Sequence, residues 1–156
     1  MHLLTEQNIR INRPINVVFD YVTNMEQFGD WFPGVLAIKS ANDHLPGQIG
    51  KEYLETVAIP LRGERKIRLV VREAEINKLF VTEGKLSPLL PRMEVRFQVE
   101  DSDSCQVTWR MLSRNSAVFF RLTLLPIARA VLQKRAAIGL GKLKRNLERI
   151  EAQPIG

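Results

Sequence analysis

The chain has 156 residues, of which 45% are hydrophobic and 26% charged, with 23 Lys and Arg against 17 Asp and Glu. These proportions are ordinary for a globular protein, so we expect a single domain over residues 1–156. The longest stretch without Asp, Glu, Lys or Arg, residues 31–38, is too short to cross a bilayer, and the N-terminus lacks a basic-then-apolar signal. We therefore expect a cytoplasmic protein. One cysteine and two distant histidines exclude an internal disulfide and metal-ligand spacing, so neither a metal nor a cofactor is expected.

The first part of the chain predicts one strand followed by two short helices. Residues 5–12 alternate with Ile9 and Ile11 on one side, which is typical of a strand. Pro14 suits the first turn of a helix over residues 15–22, and Asn24 begins a second short helix that continues through Phe28. The apolar turn at residues 31–34 then leads into a strand at residues 35–39.

Residues 39–111 predict a series of antiparallel strands. We expect strands at residues 51–58, 64–72, 78–85, 93–99 and 105–111, because turn-forming residues separate them. In residues 51–58 neither alternate set is uniformly apolar, and we interpret Glu55 as facing solvent. Six or seven strands with one face in water need a cover for the other face.

Residues 119–151 predict one long helix, the only element long enough to cover such a sheet. Small or apolar residues recur every three or four positions from Leu125 to Ile150, which is helical spacing. Pro126 lacks an N–H and crowds the carbonyl of Leu122, so we expect a kink or a separate short turn before it. A second apolar row predicts that the first part of the helix is buried on two sides, and it consists of Leu124, Ile127, Val131 and Ile138.

The whole excess of positive charge lies on this helix. Residues 119–151 contain eight basic and two acidic residues, whereas the remainder of the chain has fifteen of each sign. A solvated helix face explains this simply. The alternative is a surface that docks on an anionic membrane through Lys142, Lys144, Arg145 and Arg149. Aromatic residues are not interleaved with these charges, so a nucleic-acid partner is not expected.

Four stretches carry a resemblance to a known family. They are INRPINVVFDYV at residues 11–22, WFPGV at 31–35, PGQIG at 46–50 and VTW at 107–109. With the order of elements, they resemble the START-like helix-grip (SRPBCC) superfamily of polyketide cyclase/dehydrase and lipid-transfer proteins. The resemblance implies an α+β fold in which a curved antiparallel sheet of six to seven strands wraps around a long C-terminal helix. Two short helices follow the first strand, and an apolar cavity lies between sheet and helix.

We expect the cavity to lie beside the small residues in the middle of the helix, which include Ala136, Ala137 and Gly139. A glycine inside a helix costs about 1 kcal/mol relative to alanine, so at Gly139 either a neighbour comes close or space is left. We expect space, roughly 300 Å³ or more, as ligand sites have. The predicted ligand-binding residues are Tyr53, Leu69, Met93, Phe97, Trp109, Met111, Leu132, Ala136 and Gly139.

The sequence favours binding of a small hydrophobic ligand, such as a lipid, an isoprenoid quinone or a polyketide-like compound. Cyclases of the resembled family use polar cavity groups to orient substrate and move protons, and the polar groups here are Tyr53, Glu55, Arg62 and Arg65. An aromatase/cyclase or dehydratase in the same cavity is therefore the first alternative. A ribosome-associated or other regulatory interaction protein is the second. No catalytic residue, ligand identity or oligomeric state follows from the residues.

Overall fold

The computed structural model describes the backbone of residues 1–152 and the side chains of residues 1–149. The strands are β1 (His2–Ile11), β2 (Val35–Ser40), β3 (Glu52–Ile59), β4 (Gly63–Glu75), β5 (Leu79–Gly84), β6 (Pro91–Asp101) and β7 (Ser104–Ser113). They form one antiparallel sheet in the order β1-β7-β6-β5-β4-β3-β2. Helix α1 (Ile15–Thr23) and a 3-10 helix (Met25–Asp30) follow β1, and α2 (Val118–Ala152) follows β7. The α+β helix-grip fold predicted from the sequence is confirmed.

Strand β1 begins three residues earlier than predicted because it pairs with β7 along its length. His2 is opposite Ser113, and Ile9 is opposite Val107. The early residues of β1 show weak alternation by themselves, so the partner strand defines where β1 starts.

One face of the sheet holds the main hydrophobic core. Alternate residues of β6 and β7 point to this face, as the sequence predicted, and Phe97 and Trp109 are buried there. Phe32 stacks on Trp109 with ring centroids 5.1 Å apart, which joins the turn after the 3-10 helix to the sheet. The opposite face carries charged residues, among which Arg92 forms ion pairs with Glu73, Glu83 and Glu94.

Helix α2 has two halves with different surroundings. In the second half, Ala136, Leu140, Leu143 and Leu147 belong to the main core. In the first half, Phe120 and Leu125 pack with Leu4 in a smaller cluster over the β1 edge. The helix continues without a break through Pro126. None of the helices within the described residues combines the length and the hydrophobicity needed to cross a membrane.

The prediction that the first half of α2 is buried on two sides is wrong. In the second apolar row, Leu124, Ile127 and Ile138 are 41%, 63% and 44% exposed. Phe119 and Leu122, near the start of the helix, are 79% and 73% exposed. The sheet covers one side of the helix, and no described element covers the other side. An apolar surface of the helix therefore faces outward, and it lies beside the cavity described next.

Candidate ligand-binding cavity

A cavity of about 480 Å³ lies between the sheet and the first half of α2. Strands β3 to β7 contribute to its floor, the 3-10 helix closes one side, and α2 forms the roof. Most of the wall is apolar, and it includes Phe28, Ile67, Leu69, Met93, Met111 and Leu132. Met111 and Leu132 also contact both hydrophobic clusters, so the cavity lies where the two clusters meet. The sequence predicted that α2 covers the sheet. The cavity is the space that remains beneath the helix because the hydrophobic residues pack in two separate clusters.

The nine predicted ligand-binding residues divide into two groups. Four of them line the cavity, namely Leu69, Met93, Met111 and Leu132. The other five are buried in the main core beside it, namely Tyr53, Phe97, Trp109, Ala136 and Gly139. A ligand contact by any of the nine stays a prediction.

The space expected beside Gly139 is occupied by the turn that follows the 3-10 helix. A Cβ atom at Gly139 would lie 3.1 Å from Cδ2 of Phe32 and 3.2 Å from the carbonyl oxygen of Trp31. Both distances are shorter than ordinary van der Waals contact, so a larger residue at this position would require the turn to shift by a few tenths of an ångström. A glycine in the middle of the helix was explained either by a close neighbour or by an empty space, and the structure shows a close neighbour at Gly139. The cavity lies toward the beginning of the helix instead.

Glu55 on β3 is in the cavity wall, and the interpretation that it faces solvent is wrong. Its side chain is 5% exposed, and its neighbours across the sheet are the buried residues Ile38 and Ile67. Tyr53 and Val57, two positions away on either side, point to the same face. Tyr53 and Val57 indicated that this set of alternating residues faces the core. The other set of β3 includes the apolar Leu54, so the sequence pattern did not distinguish the two faces.

The carboxyl group of Glu55 has no hydrogen-bond or ion-pair partner among the described residues. Burial raises its pKa to about 7, and no neighbouring charge contributes to this shift. A carboxyl group with such a pKa is protonated in about half of the molecules near neutral pH. It can therefore donate a hydrogen bond, accept one, or exchange a proton with a bound molecule. Within the described part of the chain, no group of three or more His, Cys, Asp or Glu residues is arranged to hold a metal ion.

Arg135 of α2 places a fixed cation at the cavity wall. Its Nη2 donates a hydrogen bond of 3.0 Å to the carbonyl oxygen of Ala58 at the end of β3. The guanidinium lies so close to Gly34 that a Cβ atom there would overlap Nη1, and Gly34 also has a positive φ of 86°. Burial lowers the pKa of Arg135. In the sequence this arginine was only one of the eight basic residues of the helix.

The exposed residues of the wall define the mouth of the cavity. Leu61 and Arg62 lie in the turn between β3 and β4, Arg65 follows on β4, and Leu124 and Ile127 lie on α2. All five side chains are exposed. The mouth is thus apolar with two arginines, and the exposed Phe119 and Leu122 continue the apolar surface along the helix.

Comparisons with known proteins place this chain in a family. A profile described as polyketide cyclase/dehydrase and lipid transport matches residues 2–148. No curated protein matches the sequence. Among solved structures, the fold is similar to a START superfamily protein from Mycobacterium smegmatis, with a TM-score of 0.67 and 12% identity over 96% of this chain and 99% of that one. A protein from Thermus thermophilus gives a TM-score of 0.72 with 8% identity, over 94% of this chain and 97% of that one.

A two-domain protein is also similar in fold. The di-domain ARO/CYC StfQ from the steffimycin biosynthetic pathway gives a TM-score of 0.70 with 14% identity over 96% of this chain. This chain spans about half of that protein, 51% of its length. At such identities the structures show a shared fold, whereas the profile match covers nearly the whole chain. The chain therefore belongs to the polyketide cyclase/dehydrase and lipid transport family.

Proposed function

We propose that the protein binds a small hydrophobic ligand in the cavity under the first half of α2. The observation that carries this proposal is the cavity itself, whose volume of about 480 Å³ is within the range of small-molecule sites. A mainly apolar wall with a few polar groups is also typical of such sites. Membership in a family described by polyketide cyclase/dehydrase and lipid transport supports the same class of ligand.

Lipids, isoprenoid quinones and polyketide-like compounds all fit this description. Each combines a large apolar surface with few polar atoms, which matches a wall where Glu55, Thr82 and Arg135 are the buried or half-buried polar residues. Extraction of the purified protein with organic solvent, followed by mass spectrometry, would identify a ligand that co-purifies.

Filling the cavity tests the proposal directly. Ala128 lines the cavity, so Ala128→Phe is expected to weaken binding of a hydrophobic fluorescent probe by displacing it. Ala137 is exposed on the same helix and does not line the cavity, so Ala137→Phe is the matched control and is expected to bind the probe normally. Equal probe binding by the two variants, or none by the parent protein, would contradict the proposal.

An enzyme acting in the same cavity is the second candidate, and Glu55 is the observation that favours it. A general acid or base works best with a pKa near the working pH, and burial brings the pKa of this carboxyl to about 7. An aromatase/cyclase or dehydratase reaction on a polyketide-like substrate needs such proton transfers. For this candidate, Glu55→Gln is expected to abolish conversion of a polyketide-like substrate while leaving its binding intact.

We also propose that the protein docks on an anionic membrane, and that the mouth of the cavity is the docking surface. Exposed Leu61, Phe119 and Leu122 could enter the region below the headgroups, while Arg62 and Arg65 would face anionic lipids. A hydrophobic ligand could then pass between bilayer and cavity without crossing water. Of the basic residues near the end of α2, Lys144 is engaged, because its Nζ donates 2.7 Å hydrogen bonds to Glu148 and to the carbonyl oxygen of Arg10. Lys142, Arg145 and Arg149 are exposed, and docking through them stays a prediction.

A further inference from the structure

The unpartnered carboxyl group of Glu55 points to the chemistry of the ligand. A buried polar group without a hydrogen bond is costly, and in native proteins such groups are usually paired. Glu55 is nine-tenths buried, is flanked in the sheet by Ile38 and Ile67, and lines the cavity. The partner that this carboxyl lacks among the described residues can therefore come from a molecule inside the cavity.

We propose that protonated Glu55 donates a hydrogen bond to a carbonyl oxygen of the ligand. The cavity would then select apolar molecules that carry a ketone or quinone oxygen over hydrocarbons of the same shape. This inference rests on the proposed function, since it names the class of ligand for the same cavity.

The other charged groups around the cavity favour a neutral oxygen over a cationic ligand group. Arg62 lies in the turn after β3, Arg65 on β4 and Arg135 on α2, and all three line the cavity. Three positive charges in the wall would oppose a ligand cation. Arg135 already donates one hydrogen bond to Ala58, whereas the Glu55 carboxyl makes none within the described residues. Glu55 and Thr82 are the buried polar residues of the wall, and of these two only the Glu55 carboxyl changes its donor capacity with pH.

Proton loss from Glu55 would make ligand binding depend on pH. The groups that face the cavity from neighbouring elements are the three arginines, and the buried Tyr53 hydroxyl lies two positions earlier on β3. None of them forms an ion pair with Glu55, and burial alone raises its pKa to about 7. Ionisation above that pH removes the donor and leaves two acceptor oxygens, which repel a carbonyl oxygen. Binding of a ketone should therefore weaken as pH rises through about 7, whereas binding of a hydrocarbon should not.

A matched pair of probes tests this. Acetylnaphthalene and ethylnaphthalene have nearly the same shape, and only the first has a carbonyl oxygen. Their dissociation constants would be measured by equilibrium dialysis at about pH 6 and about pH 8, on either side of the Glu55 pKa. For the parent protein we expect the ketone to bind roughly three- to tenfold more weakly at the higher pH, the effect of one hydrogen bond, and the hydrocarbon to bind equally at both.

Two variants complete the test. Glu55→Gln keeps an N–H donor that does not titrate, so ketone binding should persist and lose its pH dependence. Glu55→Leu removes the donor, so ketone affinity should fall by the same roughly three- to tenfold at the lower pH while hydrocarbon affinity holds or rises. Hydrocarbon binding also shows that each variant is folded.

The outcomes separate this inference from the proposed function. If ethylnaphthalene binds but neither pH nor Glu55→Leu changes the ratio of the two dissociation constants, the carbonyl inference is overturned and the hydrophobic cavity stands. If neither probe binds the parent protein at either pH, the proposed function fails and this inference fails with it.

Discussion

Replacing Gly139 by alanine tests where the space under α2 lies. Gly→Ala inside a helix normally stabilises by about 1 kcal/mol. At Gly139 the new methyl group would lie 3.1 Å from the Phe32 ring and 3.2 Å from the carbonyl oxygen of Trp31. The carbonyl belongs to the backbone and cannot rotate away, and overpacking of this kind typically costs about 1–3 kcal/mol. We therefore expect Gly139→Ala to be neutral or to destabilise by up to about 2 kcal/mol, once the helix gain is subtracted.

Gly141, half a turn along the same helix, is the matched control. There a Cβ atom would lie 3.4 Å from Nη1 of Arg145, the mobile end of a long side chain. Gly141→Ala should therefore show the full helix gain of about 1 kcal/mol. The two variants should differ by about 1–3 kcal/mol in the free energy of unfolding, and for a chain of this size each kcal/mol shifts Tm by roughly 2–4 °C.

Thermal and denaturant unfolding of both variants beside the parent protein would measure this difference. If Gly139→Ala raises Tm as much as Gly141→Ala does, the turn at residues 31–33 does not press on α2. The space that the sequence predicted beside Gly139 would then exist, and the cavity assigned under the first half of the helix would have to be reconsidered.

Two further predictions concern Glu55 and the mouth. Burial raises the pKa of Glu55 from 4.5 to about 7, so its contribution to stability is full below about pH 4.5 and is lost as pH rises through 7. At about pH 8, Glu55→Gln should be more stable than the parent protein by up to about 3 kcal/mol, whereas in acid the two should be equally stable. A difference in denaturant midpoint that stays constant across pH would refute this. For the mouth, Phe119→Ser with Leu122→Ser should weaken binding to phosphatidylserine vesicles more than Lys142→Gln with Arg145→Gln does. Vesicle binding that is unchanged by the serine pair would rule out the mouth as the docking surface.

The sequence by itself determined the elements and, in β6 and the second half of α2, the side that faces the core. In β6 the alternation of Met93, Val95 and Phe97 with charged or polar residues is a local pattern, and the pleat of a strand converts it directly into two faces. In α2 the spacing of Leu140, Leu143 and Leu147 does the same for a helix. The order of these elements and four short stretches of sequence carried the resemblance to a known family, and that resemblance implied the helix-grip fold and a cavity between its layers.

Only the tertiary structure decided where that space is and which polar group it contains. The pattern of β3 is ambiguous, and Glu55 is buried because its neighbours Ile38 and Ile67 belong to strands paired with it in the sheet. The sequence shows that Gly139 has no side chain. Whether a neighbouring residue or an empty space lies beside it depends on the turn at residues 31–33, more than a hundred residues earlier in the chain. Periodicity shows which side of an element avoids water, whereas the distance between two packed layers depends on every side chain between them. For the same reason the apolar row that includes Ile127 predicted burial, although the single sheet leaves that side of α2 uncovered.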